Sequence, residues 1–397
     1  MSESVEHRTA TGERDGPLRI ALVIPGLTGG GSERVLSAMA NHLADRGHAV
    51  RLVTLGSRAK DAYVLSPAVD RVALGVDRIR WFEFRRYAAH IVALRRAVRS
   101  RQPQVTLAFQ WRASILCLLS LIGARSSLII SERSLPDRED VRPATRLLRK
   151  MLYPGAALLV VMTEGAREAF SSIMPADRIR VIPNFVDFSD RRGGRDAATE
   201  AVVGLVRGLR AKGRRVAVAM GRLHPVKGFD MLIRAFARAK ADHPEWELVI
   251  LGEGGEEERL RELAASLDQQ EAVHMPGRVA APHLVLEQCD LFVQASRFEG
   301  FGIALIEAMA VGLPSISTDC PTGPREIIRS GRDGVLVANG SEDELTLAMQ
   351  RLMSDPGERE RLGANAQEVR SRFDRRSIMS RWEQLLREPV RTGAIEA

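Results

Sequence analysis

The 397-residue chain has only three cysteines, Cys117, Cys289 and Cys320, scattered, odd in number and without metal-ligand spacing. That argues against a disulfide framework and a zinc site and points to a reducing compartment. Long apolar runs are missing too: the longest, residues 113–124, falls well short of the ~20 residues a membrane-spanning helix needs. Residues 1–17 are polar and carry Glu3, Glu6, Glu13 and Asp15. They read as a disordered tail rather than a secretory signal or mitochondrial leader. The expected location is the cytoplasm. A dinucleotide fingerprint is absent as well. The first glycine turn, Thr28-Gly29-Gly30-Gly31-Ser32, is not G-x-G-x-x-G, and the strand after it ends in Thr54 and Leu55 instead of an acidic residue.

What is present is an ordinary globular composition, 45% hydrophobic and 27% charged, on a chain long enough for two domains of ~150–200 residues. Residues 19–25 form a short run of branched apolar residues, followed by the glycine turn and then by Val35, Leu36, Met39, Ala40 and Leu43 at helical spacing. Gly47 closes that helix and residues 49–55 make the next strand, a βαβ start. Further strands are predicted over 105–109, 127–130 and 157–162. The second half repeats the plan, with strands over 215–221, 246–252, 273–275, 291–294 and 314–318 and helices over 228–239 and 256–267. The fold class is therefore α/β, two doubly wound Rossmann-like domains. The predicted boundaries are 18–187 for the first domain, 188–214 for a linker or irregular helix, and 215–375 for the second domain. Residues 376–397 are expected to form a helix and tail packing back towards the first domain.

The densest chemical signal is Ser296-Arg-Phe-Glu299-Gly-Phe-Gly-Ile-Ala-Leu-Ile-Glu307-Ala-Met-Ala-Val-Gly312-Leu-Pro314. A strand ends near Ala295, and a loop with Gly300 and Gly302 leads into a helix near Ile303. Glycines there let backbone N–H groups approach a ligand, and the helix N-terminus favours an anion such as diphosphate. Glu299 and Glu307, as carboxylates, can accept hydrogen bonds from hydroxyls of a sugar and a ribose. Read without their surroundings, they are equally two solvent-facing glutamates at a helix start.

This segment resembles the retaining glycosyltransferases of family 4, whose hallmark is two glutamates separated by seven residues in an EGFG…EAMA.G.P run. The resemblance extends, more roughly, from Leu18 to about Glu383. It implies the GT-B fold, two facing Rossmann-like domains with an interdomain cleft. A second element, Gly221-Arg222-Leu-His-Pro-Val-Lys227-Gly228, is similar to the family's G-R-L…K-G motif. It implies that Arg222 and Lys227 grip the donor diphosphate, consistent with a forked guanidinium and a mobile ammonium charge. The resemblance also implies backbone contacts from Arg278 and Val279 to the nucleobase. Gly300, Phe301, Gly302 and Ile303 would lie along the donor, with Glu299 on its sugar and Glu307 on its ribose. The amides of Gly30 and Gly31 are implied contacts to the diphosphate, although a turn made only for tight packing stays open. Asp319 to Ile328 and Gly331 to Val337 match the family's closing pattern. Asn184 reads as hinge structure.

Ser131-Glu132-Arg133 stands where some relatives carry a histidine, and it resembles a subset that builds bacterial surface polysaccharides. Glu132 is a candidate for orienting the acceptor hydroxyl or taking its proton, and Arg133 for an acceptor phosphate; a structural salt bridge is an equal alternative. The formal charge of +8 is uneven. Residues 1–190 hold 28 of the 58 Lys and Arg but 19 of the 50 Asp and Glu, while the remainder carries 30 against 31. Much of that excess lies in residues 78–101, eight arginines including Arg85, Arg86, Arg95 and Arg96, interleaved with Trp81, Phe82, Phe84 and Tyr87. Residues 142–150 add four cations. Docking on an anionic membrane and a plain solvated helical face are both open, and no nucleic-acid-binding module accompanies the charge. The expected activity is retaining transfer of a hexose from a UDP- or GDP-sugar to a hydroxyl of a glycan acceptor, lipid-linked and of bacterial surface polysaccharide type. Front-face displacement is implied by the resemblance. With no Asp-x-Asp pair in the chain, no metal and no other cofactor is expected. A non-catalytic nucleotide-sugar scaffold, or a GT-B epimerase, is the alternative.

Overall fold

The computed structural model describes residues 16–75, 84–124, 126–136, 143–187 and 196–388. It divides into two compact units, one of Met1–Ile182 with Arg376–Ala397 and one of Pro183–Arg375.

The first unit is built on seven parallel strands: β1 (Arg19–Ile24), β2 (Ala49–Thr54), β3 (Asp70–Ala73), β4 (Val105–Phe109), β5 (Ser127–Ser131), β6 (Leu158–Val161) and β7 (Ile179–Val181). Their order is β3-β2-β1-β4-β5-β6-β7. Every residue of β4, β5 and β6 is buried, as expected for parallel strands covered by helices on both faces. β3 was not foreseen. It is half-buried at all four positions and carries Asp70, which accepts from Arg51 at 2.7 Å; a short charged strand suits a sheet edge but breaks the apolar signature. The chain returns at the end. The helix Arg375–Arg387 buries Trp382 against Phe109 with ring centroids 5.9 Å apart. His48 Nε2 lies 3.2 Å from Glu383 Oε1, while its Nδ1 accepts from the Leu18 amide.

The second unit holds β8 (Arg215–Met220), β9 (Trp246–Leu251), β10 (Val273–Gly277), β11 (Leu291–Gln294), β12 (Ser315–Asp319) and β13 (Val335–Ala338), all parallel, in the order β10-β9-β8-β11-β12-β13. Leu232, Phe236, Trp246, Leu248 and Ile250 centre its core. Within the segment 188–214, expected to be a linker or irregular helix, residues Ala197–Ala211 form a regular helix of this unit. Asp196 caps it, its carboxylate accepting from the Thr199 amide at 2.8 Å, and Val202, Val203 and Val206 are buried. Thr199 Oγ1 in turn accepts from the amides of Ala280 and Ala281.

In each sheet the chain first builds outward to one side and then crosses to the other. The crossings separate β1 from β4 and β8 from β11. Ligands of open parallel sheets bind outside the carboxyl ends of the strands at such switch points.

Candidate functional site

β8 leaves the sheet at Met220 and continues through Gly221, exposed Arg222 and buried Leu223 into a single 3-10 turn, Pro225–Lys227. Gly228 ends that turn at φ +64°. A Cβ here would stand 2.0 Å from the Ala295 carbonyl oxygen, so only glycine lets the loop sit against the end of β11. That approach seats Lys227. Its Nζ donates to Glu299 Oε1 at 2.6 Å, and the Ser296 hydroxyl donates to the same oxygen at 2.7 Å.

Glu299 is fixed on its backbone side as well. Its carbonyl accepts from Thr322 Oγ1 at 2.7 Å, and the carbonyl of Ser296 accepts from Thr318 Oγ1. The residue is 8% exposed. Phe301 is buried edge-on against Phe373, 5.4 Å between centroids. Gly302, at φ +109°, is the N-cap of the helix Ile303–Ala310, and no side chain caps that helix. Its first amides are thus available to an anion. Glu307 lies one turn inside the helix and is half-buried. Gly300 and Ile303 are half-buried beside it.

The structure therefore brings Lys227 and Glu299 into direct contact across the β8–β11 switch point. Arg222 is exposed on the β8 loop, with no hydrogen bond or ion pair among the described residues. Arg278 and Val279 follow the carboxyl end of β10, the first exposed and the second buried. Sequence reasoning missed Arg297. Its guanidinium spans Asp230 Oδ1 and Oδ2, each at 2.8 Å, and the Pro225 carbonyl at 2.7 Å. It fastens the two loops behind the Lys227–Glu299 pair. Burial would raise the Asp230 pKa, but the hydrogen bonds and charges of Arg297 and Arg234 overcome it and hold the carboxyl down at about 2.

In the first unit the glycine turn differs from expectation in one respect. The Gly29 and Gly30 amides donate to the carboxylate of Glu33, at 2.8 and 3.1 Å, so the Gly30 amide is already engaged. Gly31 is exposed at the head of the helix Gly31–Asp45. Glu132 is buried, 2% exposed, with one oxygen taken by the Tyr153 hydroxyl and the other 3.5 Å from Arg149. Burial raises its pKa against the pull of Arg149, Tyr153 and Arg133. These contacts fit the ion-pair alternative. The Arg133 guanidinium lies 4.0 Å over the Phe109 ring; burial pulls its pKa down to about 9, which leaves it charged at neutral pH.

Among the basic residues, Arg95 faces inward and donates to the Ser120 and Ile122 carbonyls, at 2.7 and 3.0 Å, closing the helix Trp111–Ser120. Arg96 is exposed. Arg85 and Arg86 fall in the helix Phe84–Arg99, but their side chains lie outside the described residues. No group of His, Cys, Asp and Glu able to hold a metal ion occurs among the described residues, and no helix there is long and apolar enough to cross a membrane.

Comparison with known proteins gives two family models in tandem. "Glycosyltransferase Family 4" matches residues 29–190 and "Glycosyl transferases group 1" matches residues 207–369. The exopolysaccharide phosphotransferase SCO2592 of Streptomyces coelicolor is 34% identical over 242 residues, 60% of this chain and 24% of that protein. The match therefore spans about a quarter of that relative's length. A Campylobacter jejuni GalNAc-alpha-(1->4)-GalNAc-alpha-(1->3)-diNAcBac-PP-undecaprenol alpha-1,4-N-acetyl-D-galactosaminyltransferase is 26% identical, over 94% of this chain and 99% of its own. The solved structure of Anabaena Alr3699/HepE in complex with UDP and glucose superposes with a TM-score of 0.78 at 20% identity, covering 93% of this chain and 99% of that one, a likeness of fold. With one model on each sheet, the chain belongs to the family 4 glycosyltransferases, retaining, nucleotide-sugar-dependent enzymes of the GT-B fold.

Proposed function

We propose that the chain transfers a hexose from a UDP- or GDP-sugar to a hydroxyl of a lipid-linked glycan, in bacterial surface polysaccharide or glycoconjugate synthesis. The observation that carries the donor half is the Lys227–Glu299 pair at the β8–β11 switch point. The donor diphosphate lies against the uncapped start of the helix Ile303–Ala310, with Gly300, Phe301, Gly302 and Ile303 along it. Arg222 and Lys227 carry its charge. Glu299 accepts from a sugar hydroxyl, Glu307 from the ribose, and the backbone of Arg278 and Val279 meets the base. Without donor, Lys227 neutralises the buried carboxylate of Glu299; with donor, its ammonium is shared with the phosphate oxygens.

In the transfer, the acceptor oxygen bonds to the anomeric carbon as the bond from that carbon to the diphosphate oxygen breaks. The electron pair leaves on the diphosphate, which takes up the acceptor's proton. Front-face attack keeps the configuration. Charge growing on the leaving oxygens is met by Arg222, Lys227 and the helix amides, an electrostatic contribution already in position. No metal is assigned to the step.

The lipid-linked half rests on the Campylobacter relative, whose own acceptor carries undecaprenol, and on one surface of the first unit. Arg96, Arg99 and Lys150 are exposed there beside Val92, Leu147 and Met151, which are 53%, 59% and 67% exposed. They stand on the helices Phe84–Arg99 and Pro143–Leu152, with Trp111–Ser120 packed between. Cations beside exposed aliphatics suit an anionic lipid surface at the cytoplasmic face of the membrane. Replacing Lys227 by Ala is expected to lower nucleotide release and transfer by at least a hundredfold, roughly the cost of one lost oxyanion donor, with the circular-dichroism spectrum retained but the melting temperature lowered, since the buried Glu299 carboxylate loses its cation. Turnover near that of the wild type would sink the assignment.

A further inference from the structure

The carboxyl end of β4 carries a residue that the donor chemistry does not use. Gln110 lies directly after Phe109 at the β1–β4 switch point, where the first unit's sheet would receive its ligand. Its backbone has φ +72° and ψ 149°, a region that glycine enters freely and residues with a Cβ avoid. Three hydrogen bonds hold it there. Its amide donates to the Ser131 carbonyl at 2.9 Å, and its carbonyl accepts from the Ser114 amide and hydroxyl, both at 3.0 Å.

Glycine at this position would make all three of those bonds without strain. The side chain must therefore contribute something the backbone does not need. It points to the glycine turn: Nε2 donates to Ser32 Oγ at 2.6 Å, and both residues are only half-buried. The pair then keeps the Gln110 side-chain Oε1, one Nε2 hydrogen and the Ser32 hydroxyl hydrogen, none of them engaged among the described residues. With the amide turned over, the pair still offers both a donor and an acceptor. A sugar hydroxyl also donates and accepts. The neighbouring turn is rigid, since Glu33 ties the Gly29 and Gly30 amides and Tyr63 donates to the Gly30 carbonyl at 2.9 Å.

We propose that Gln110 and Ser32 form the recognition pair for a hydroxyl of the glycan acceptor, an inference that rests on the transferase reading above. Backbone strain at Gln110 is tolerated because it aims the carboxamide at that hydroxyl.

The test uses the full chain, a panel of UDP- and GDP-hexoses as donors, and octyl hexosides and citronellyl-diphospho-hexosides as acceptor probes. Gln110→Gly is expected to melt at or above the wild-type temperature, because it removes the strain. It should release nucleotide from donor alone at the wild-type rate, while its KM for the acceptor rises about tenfold, the scale of one lost hydrogen bond to substrate. Ser32→Ala, which leaves the strained backbone alone, should raise the same KM and serves as the deciding variant if Gln110→Gly does not fold. Acceptor KM within twofold of wild type in the folded variants overturns the proposal while leaving the transferase reading standing. A wild-type chain that releases no nucleotide, or passes sugar to none of the probes, brings down both.

Discussion

Arg297 stands two residues before Glu299 yet serves the fold of the site rather than its chemistry. Its partner Asp230 follows Lys227 closely in sequence, so one ion pair fixes both loops of the proposed donor site. The folded Asp230 pKa of about 2 lies below its ordinary value near 3.8. A carboxylate held low stabilises the fold above its unfolded pKa and loses that contribution as pH falls through the folded value. Asp230→Asn is therefore expected to cost about 1–2 kcal/mol at pH 7, after allowing for solvent screening. In urea unfolding the gap from wild type should stay constant down to about pH 4 and close as pH falls towards 2. A gap that persisted at the acid end would show that the residue acts through shape instead. The motif residues Arg222, Lys227, Glu299 and Glu307 were legible in the sequence because they sit in short conspicuous runs. The Arg297–Asp230 pair was not, since 67 residues separate its members and nothing local announces it. For Glu132 the sequence left an acceptor role and a salt bridge both open, and the partners that cover it, Tyr153 and Arg149, come from later elements.

Among the elements, the long apolar strands were readable and the short polar edges were not. β3 and β7 span four and three residues with half-buried charged positions, and neither makes the continuous run by which a parallel strand is recognised. The helix Ala197–Ala211 reads in the sequence as a linker or irregular helix because Gly204 and Gly208 lie inside it and lower its intrinsic propensity. Its buried face is a narrow stripe of valines, so packing against the second unit, not propensity, keeps it helical. The Asp196 cap should matter more than usual in such a helix. Asp196→Ala is expected to lower the midpoint of the second unit's denaturant transition. An unchanged midpoint would mean that the cap is redundant with the Thr199 contacts.

Across the whole molecule, the charge asymmetry seen in the sequence has a partial structural reading. Not all of the arginines are free for a surface: Arg95 closes a neighbouring helix and Arg149 is buried beside Glu132. The exposed cations Arg96, Arg99 and Lys150 accompany the exposed aliphatics of the proposed lipid face. If that face docks, the chain should sediment with vesicles rich in phosphatidylglycerol and not with phosphatidylcholine vesicles, and added salt should weaken the association. Leu147→Asp with Met151→Asp should reduce binding several-fold while leaving release of nucleotide from donor alone unchanged. Equal binding by the double variant would leave simple charge attraction as the cause and remove the docking face.

The route of the chain through its two units has a consequence for how the molecule is made. The first unit is interrupted after Ile182 and completed only from Arg376 onward, when Trp382 reaches Phe109 and Glu383 reaches His48. At ordinary translation speeds the ribosome needs roughly ten to forty seconds to synthesise the intervening unit. Throughout that interval the nascent chain carries an open sheet of seven strands whose Phe109 ring lacks its Trp382 neighbour. The second unit, contiguous in sequence, can close as soon as it emerges. The unit that is synthesised first is therefore the one that finishes folding last, and its exposed apolar surface is the part of this protein for which a chaperone has the longest time to act.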